Sequence, residues 1–383
     1  MIPRVVIVTE IIAPYRIPVF NALAERTEVD FHVIFLAESD PSLRQWRVYK
    51  DEIRFAYDVL PSWRRRFGRY HVLLNRGLLS ALNRLRPDAV LCGGYNYLAS
   101  WEAAAWAKVH GVPLLLWSES TVLDMRRGHP LVEFMKSRFL SLCQAFVVCG
   151  KSSFDYLRKL GIAENKIFTA PNAVDANLFS TAAESVRRQE LQVRARRSLP
   201  SRYFLYVGRL VQAKGVYEVM EAYAQLSAEI RSAVALVFVG DGPERMKLME
   251  RARGISPGTI QFAGFAHRED LPEFYALADA LIFPTHTDPW GLVVNEAMLC
   301  SVPVIATTVA GCAADLMQDG WNGFVVPPKD PSGLADAMTR LADDPRLRRE
   351  MGARSRERIA AYSPTSWAEG LVAAVKSVFA KAR

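Results

Sequence analysis

Asp288-Pro-Trp-Gly-Leu-Val-Val-Asn-Glu296-Ala-Met-Leu-Cys-Ser-Val-Pro303-Val304 reads as a loop, a helix and the start of a buried strand. Its two acids stand eight positions apart. Gly291 marks the loop, an apolar pattern runs through Glu296, and Val302–Ala306 is a short apolar run of strand type. Asp288 therefore falls in a strand-to-helix loop, and Glu296 about two turns into the helix. A helix N-terminus offers free N–H groups and the positive end of the dipole, which suits a phosphate. Acids beside that phosphate can accept hydrogen bonds from sugar hydroxyls. The combination fits a nucleotide-sugar better than a metal or a bare nucleotide. The same residues also describe an ordinary βα unit with a solvated acid at each end.

The surrounding sequence repeats this alternation. Arg4–Thr9, Phe31–Leu36, Ala89–Cys92, Leu114–Trp117 and Ala145–Cys149 are short apolar runs, several followed by amphipathic stretches such as Ile17–Glu25 and Ser152–Leu160. The pattern restarts with Tyr203–Val207, Ala235–Val239, Ile260–Phe262, Ala280–Phe283, Val302–Ala306 and Gly323–Val326. Continuous apolar runs between helices predict buried parallel sheets. A chain of 383 residues exceeds what one core usually serves. The expectation is an α/β protein of two Rossmann-like doubly wound domains facing across a cleft, with ligands beyond the strands' carboxyl ends. The expected boundaries are an N-terminal domain 1–180, a charged linker or surface helix 181–198, a C-terminal domain 199–360 and a last helix 361–383 that crosses back to the first domain.

Composition narrows the function classes. No run reaches the roughly 18 uncharged apolar residues of a membrane-spanning helix. MIPRVVIVTE reads as a first strand rather than a signal peptide. Five scattered cysteines without a Cys-x-x-Cys pair indicate neither a disulfide framework nor a zinc site. The expected location is cytoplasmic, or peripheral on the inner face of the plasma membrane. Of the net charge of +8, +6 lies between Met1 and Ser180. Leu60 to Pro87 holds seven Arg and no acid, mixed with Trp63, Phe67, Tyr70 and a Leu-rich helical pattern. Such a stretch suits an anionic membrane surface, or equally a solvated helix whose Leu residues pack inward. Val132 to Leu142, with Arg126, Arg127, Lys136 and Arg138 around it, would extend that basic surface. No nucleic-acid motif accompanies the charge, so nucleic acid is not an expected partner.

Two further loops carry chemistry. Gly208-Arg209-Leu210 with Lys214-Gly215 follows the strand Tyr203–Val207, so two cations meet a helix start in the outline of a phosphate clamp. Gly240-Asp241-Gly242-Pro243 follows Ala235–Val239 and makes a tight loop that could line a base or ribose pocket, or merely turn the chain. Cys149-Gly150-Lys151-Ser152 lacks the upstream Gly of a phosphate-binding P-loop. No GxGxxG follows the first strand, which argues against a nicotinamide cofactor, and no cofactor is expected. The histidines are not at metal-ligand spacing and no Asp-x-Asp pair occurs, so no metal site is expected either.

Taken in order, these pieces resemble the retaining glycosyltransferases of family 4, which have the GT-B fold. The matching residues are Pro171-Asn172-Ala173-Val174-Asp175, Val207 to Leu210 with Lys214-Gly215, Gly240 to Pro243, and Phe262 to Phe265 with Leu271 and Tyr275. Asp288 to Glu296, Ser301 to Val304, Asp319-Gly320-Trp321-Asn322-Gly323 and Val326-Pro327 complete the set. The resemblance covers Ala145 to Pro328 well and is looser before that.

The resemblance implies transfer of a hexosyl unit from a UDP- or GDP-sugar to an acceptor hydroxyl, with retained configuration and without a metal. The acceptor would be a glycan or a lipid-linked precursor. Arg209 and Lys214 would neutralise the diphosphate, Glu296 would hold the ribose, and Asp288 would contact the transferred sugar. N–H groups of Gly291, Leu292 and Val293 would meet phosphate and sugar, and Gly208 would lie in the donor-binding loop. Gly240, Gly242 and Phe265 would shape the base pocket. Departures fall at the first acid, where the family usually has Glu and this chain has Asp288, and at Ser301, where Gly is commoner. The first loop, Ile11 to Arg16, lacks the family's Gly pair, and Arg16 is the charge that could face the diphosphate or an anionic acceptor. The end of the strand Leu114–Trp117 offers Glu119 in place of the family's His, either toward the acceptor or as a helix cap. A nucleotide-sugar 2-epimerase and a non-catalytic nucleotide-sugar-binding protein are the alternatives.

Overall fold

The structure, a computed structural model, describes residues 2–40, 46–67, 70–122, 130–255 and 259–380. The chain forms two compact units, Met1–Val174 with Tyr362–Arg383, and Asp175–Ala361.

In the first unit, β1 (Arg4–Ile11), β2 (Asp30–Ala37) and β3 (Tyr57–Val59) are followed by a separate hairpin, β4 (Ser62–Phe67) and β5 (Tyr70–Asn75). The sheet continues with β6 (Ala89–Cys92), β7 (Leu114–Ser118), β8 (Ala145–Val148) and β9 (Ile167–Thr169). Its seven strands run parallel in the order β3-β2-β1-β6-β7-β8-β9. Val5 to Val8 are almost fully shielded because helices cover both faces. One face packs on the helices Ile17–Ala24 and Pro364–Ala380, where the Phe20 ring lies 5.6 Å from Trp367 and Trp367 lies 5.2 Å from Trp117. The other face packs on the helices Leu78–Leu85, Leu98–His110, Pro130–Leu142 and Lys151–Lys159. The last helix thus belongs to the first unit although its sequence follows the second.

In the second unit, β10 (Tyr203–Val207), β11 (Ala235–Val239), β12 (Ile260–Gly264), β13 (Ala280–Phe283), β14 (Val304–Thr307) and β15 (Gly323–Val326) form a parallel sheet in the order β12-β11-β10-β13-β14-β15. The order reverses between β10 and β13, so their following loops open the crevice where such sheets bind ligands. Residues 181–198 fall within this unit, mostly in the helices Ala176–Arg188 and Glu190–Arg197. Phe179, Ala183 and Val186 at helical spacing are buried, and Arg197 pairs with Asp270 and Glu273.

Two expectations in the basic region are corrected. Residues 62–75, read as part of a helical pattern, are the antiparallel hairpin β4–β5, and helix is confined to Leu78–Leu85. The hairpin wins because its alternation has an inside: Leu73 is buried, and Arg64, directly opposite it, pairs with the buried Asp40. Lys136, placed on a basic surface by its sequence, is only 7% exposed and is tied to Glu133. Arg126 and Arg127 lie outside the described residues, as do the side chains of Phe67 and Tyr70.

Candidate active site

The loops after β10, β11 and β12 are stacked by their backbones. The Gly208 N–H donates to Val239 O at 3.0 Å, Gly240 to Gly264 O at 2.7 Å, and Leu210 to Asp241 O at 2.9 Å. A Cβ on Gly240 would stand 1.9 Å from Gly208 O, and φ there is +136°, so only glycine allows this approach. Gly242 lies in the same loop, its N–H bonded to Asp241 Oδ1 at 2.8 Å. Phe265 follows Gly264 and is exposed, its ring edge-on to His267 at 5.1 Å.

Across the reversal, the loop after β13 is bound to the loop after β10. His286 N–H donates to Ala213 O at 3.0 Å and Thr285 Oγ1 to the same oxygen at 3.3 Å. This brings Lys214 against Asp288: the ammonium donates to Asp288 Oδ2. Asp288 Oδ1 accepts from Trp290 N–H at 3.1 Å, and its carbonyl accepts from Gly311 N–H at 2.9 Å. Trp290 indole N–H donates to the fully buried Asn295 Oδ1 at 2.8 Å, fixing the loop to its helix. Arg209 is exposed and has no ion-pair partner among the described residues. Its carbonyl accepts from Tyr206 OH at 3.0 Å.

Gly291, at φ +99°, begins the helix Leu292–Leu299, and a Cβ there would strike the Phe283 ring at 2.6 Å. The N–H groups of Gly291, Leu292 and Val293 belong to a first turn that lacks intrahelical acceptors. Glu296 lies further along the helix, and Tyr275 OH donates to its Oε2 at 2.7 Å. Burial pushes the Glu296 carboxyl up to about 7, and the Tyr275 hydrogen bond offsets part of that rise. Burial likewise holds the Tyr275 hydroxyl well above its ordinary range. One edge of the second sheet thus gathers a cation, two acids and a helix N-terminus.

Arg16 and Glu119 come together in the first unit, following β1 and β7. Arg16 donates to Glu119 and, at 2.8 Å, to Asn172 Oδ1, and its guanidinium stacks 4.2 Å from the Trp117 ring centroid. Three partnerships escaped the sequence: Tyr275 with Glu296, Trp290 with Asn295, and His286, whose Nε2 lies 2.8 Å from Glu218 Oε1. Tyr275 was visible as part of a motif, but nothing in the sequence gave its partner. Among the described residues, no group of three or more His, Cys, Asp or Glu could hold a metal ion, and no helix is long and apolar enough to cross a membrane.

The chain matches the family of glycosyl transferases group 1 over residues 188–358 and Glycosyltransferase Family 4 over residues 20–178. It belongs to this family of GT-B glycosyltransferases. It is 31% identical over 268 residues to an alpha-D-kanosaminyltransferase of Streptomyces kanamyceticus, spanning 67% of this chain and 66% of that protein, just under two thirds of its length. It is 26% identical over 324 residues to a glycogen synthase of Mycobacterium tuberculosis, 80% of this chain and 73% of that one. In fold it is similar to Anabaena Alr3699/HepE, solved in complex with UDP and glucose, with a TM-score of 0.74, 17% identity, and 98% and 100% of the two chains covered. The resemblance seen in the sequence motifs and the GT-B fold it implied are both borne out.

Proposed function

We propose that the chain is a retaining, metal-independent transferase that moves a hexosyl unit from a UDP- or GDP-sugar to a hydroxyl of a lipid-linked or surface-glycan precursor. The observation that carries this reading is the Lys214–Asp288 pair at the reversal of the second sheet, beside the N-terminus of the helix that bears Glu296. UDP bound by the fold neighbour favours a uridine donor.

Each group has a task in this reading. The Lys214 ammonium has three donors, so it can keep Asp288 and still meet a diphosphate. Arg209, in the same loop and without an ion-pair partner among the described residues, adds the second cation. The cations and the N–H groups of Gly291 to Val293 stabilise charge on the leaving diphosphate as the sugar becomes oxocarbenium-like, and Gly208, whose own N–H is held by Val239 O, lets the backbone lie close to the donor. Asp288 holds the transferred sugar through its hydroxyls, and Glu296 takes the ribose. The backbone around Gly240, Gly242 and Phe265 walls the base. The leaving phosphate accepts the proton of the attacking hydroxyl, so no separate base is needed. Arg16 and Glu119 lie on the acceptor side.

A thermal-shift panel of UDP, GDP, ADP and their sugar conjugates, with and without EDTA, tests the reading. A ligand at about 100 times its dissociation constant adds about 2.7 kcal/mol of stability. The expected result is a shift by one nucleotide class, insensitive to EDTA. Unchanged transfer rates in both Lys214→Ala and Glu296→Gln would overturn the site.

A further inference from the structure

The first unit exposes most of the large apolar side chains that the structure leaves in solvent. Fourteen large hydrophobic residues are exposed among the described residues, and eleven belong to this unit. The helix Pro130–Leu142 contributes Leu131, Val132, Phe134 and Met135 from its first two turns. The hairpin contributes Trp63 and Leu74, which stand directly opposite each other on its two strands. Directly paired residues share a face, so Trp63 and Leu74 form one outward apolar spot while the next pair, Arg64 and Leu73, turns inward.

Topology puts these residues on one rim. In a parallel sheet a helix that follows a strand starts at the strand's carboxyl end, so the first turns of Pro130–Leu142 and Leu98–His110 lie at the carboxyl edge. The hairpin is seated on the same edge, because Arg64 pairs with Asp40 after β2 and reaches to 3.8 Å from Glu10 at the end of β1. Asn75 donates to Leu36 O near the end of β2. The helix Leu98–His110 packs against both the hairpin and the helix Pro130–Leu142, and Leu98 is exposed in its first turn. Arg16 and Glu119 occupy this edge as well.

The first half of the helix Pro130–Leu142 is inverted for a helix in water, while its second half buries Phe139 and Leu140 in the core. Its Lys136 is buried beneath it, 5.8 Å from the Tyr156 ring centroid, while Phe134 is 64% and Leu131 61% exposed. A solvated helix does the reverse. Clustered exposed apolar residues of this kind mark a surface that something covers.

Charge identifies the cover. The stretch Leu60 to Pro87 that contains the hairpin has seven Arg and no acid; Arg64 and Arg84 are paired with Asp40 and Asp58 outside it, and Arg65 and Arg76 are exposed. The Arg65 guanidinium stands 5.8 Å from the Trp63 ring centroid, and Arg138 is exposed on the helix. A second copy of this face would set like charges against like, whereas an anionic headgroup layer is complementary. Trp beside Arg, next to apolar side chains, is the composition that settles at a bilayer interface. We infer that this carboxyl-edge rim docks on an anionic lipid surface, with Leu131, Val132, Phe134 and Met135 entering the interface and the hairpin Trp63 and Arg65 anchoring beside them. The inference deepens the proposed function and rests on it for the idea that the acceptor is lipid-linked. Docking at this edge brings Arg16 and Glu119 to the membrane, where a lipid-borne hydroxyl emerges.

Vesicle flotation of the full chain tests this. The probes are phosphatidylcholine vesicles with and without phosphatidylglycerol, at low and high salt. The wild type is expected to float with the anionic vesicles and to lose much of that binding as salt rises. The double variant Leu131→Asp/Phe134→Asp is expected to bind about tenfold less or weaker still, while Phe134→Trp keeps binding. Both positions are largely exposed, so melting temperature and the nucleotide thermal shift should match the wild type. Absent flotation of the wild type, or undiminished flotation of the double variant with its melt intact, would overturn the inference. So would a double variant that floats normally but loses a dimer on sizing columns, which makes the rim a contact between copies. Flotation retained in a protein that answers to no nucleotide overturns the transferase reading and leaves the rim, and the opposite pattern overturns the rim alone.

Discussion

Tyr275 OH donates to Glu296 Oε2 at 2.7 Å, and the carboxyl that receives it has its pKa raised by burial to about 7. The sign of the consequence is fixed. An acid whose folded pKa exceeds its unfolded one holds more protons in the native state, so stability falls as pH rises from the usual glutamate range to about 7. A rise from 4.5 to about 7 corresponds to a loss of about 3 kcal/mol. Glu296→Gln removes the charge while leaving an oxygen for Tyr275 to reach. The variant should melt above the wild type at alkaline pH and converge with it in mild acid. Nucleotide affinity should move the other way. Ionised Glu296 is the better acceptor for ribose hydroxyls, so wild-type binding should strengthen through neutrality and the variant's should stay flat. Melting curves and calorimetric titration across pH check both, and a pH-independent stability difference would refute the buried-charge account.

Lys214 and Arg209 should differ in a way that reveals their settings. Lys214 is half-buried and paired with Asp288, whereas Arg209 is exposed and has no ion-pair partner among the described residues. Arg209→Ala should change stability by no more than about 0.5 kcal/mol. Lys214→Ala should cost more, because it leaves Asp288 in a partly desolvated site without its cation. Both should weaken a nucleoside diphosphate by about 1.5–3 kcal/mol, the usual worth of a charge-assisted hydrogen bond. Neither should alter affinity for the bare nucleoside. Isothermal titration with diphosphate and nucleoside separates the cases, and equal losses for both ligands would remove the two cations from the phosphate site.

The local parts of this site were legible because they are local. Gly208, Gly240 and Gly291 announce turns, and apolar runs announce the strands that carry them. The parts that needed contact across the chain were not. Arg16 meets Glu119 and Asn172 over separations of 103 and 156 residues, and Tyr275 meets Glu296 across 21. The hairpin was misread because Leu, Arg and aromatic residues fit a helical period as well as a two-residue one. Only the buried Asp40, which receives Arg64, selects the strand. Lys136 failed for a related reason, since a charged residue reads as solvated until Glu133 and Tyr156 are seen beside it.

Gly240→Ala should be among the most damaging small substitutions in the second unit. The added Cβ would lie 1.9 Å from the Gly208 carbonyl oxygen, and both partners of that clash are backbone. Relief requires the loops after β10 and β11 to separate, breaking the bonds of Gly240 to Gly264 and of Leu210 to Asp241. A loss of about 3 kcal/mol or more is expected. Because the same loops frame the proposed base pocket, nucleotide binding should fall with stability. Urea unfolding with and without nucleotide is the measurement, and a melt like the wild type would show that the loops need not approach so closely.

Arg16 should prove a positioning residue for Glu119. Its guanidinium is held from three sides, by Asn172 at 2.8 Å, by Glu119, and by the Trp117 ring at 4.2 Å. Arg16→Ala should destabilise the first unit by about 1–3 kcal/mol through the lost bond to buried Asn172 and the lost stacking. Arg16→Lys keeps the charge but not the planar fork, so it should recover only part of that loss. Donor thermal shifts should be unchanged in both, because the proposed donor residues lie in the second unit. If Glu119 faces the acceptor, Arg16→Ala and Glu119→Gln should each raise the acceptor KM, and together they should cost less than the sum of the two. Additive effects would mean that the two residues act apart, and an unchanged acceptor KM in both variants would place the acceptor elsewhere on the sheet edge.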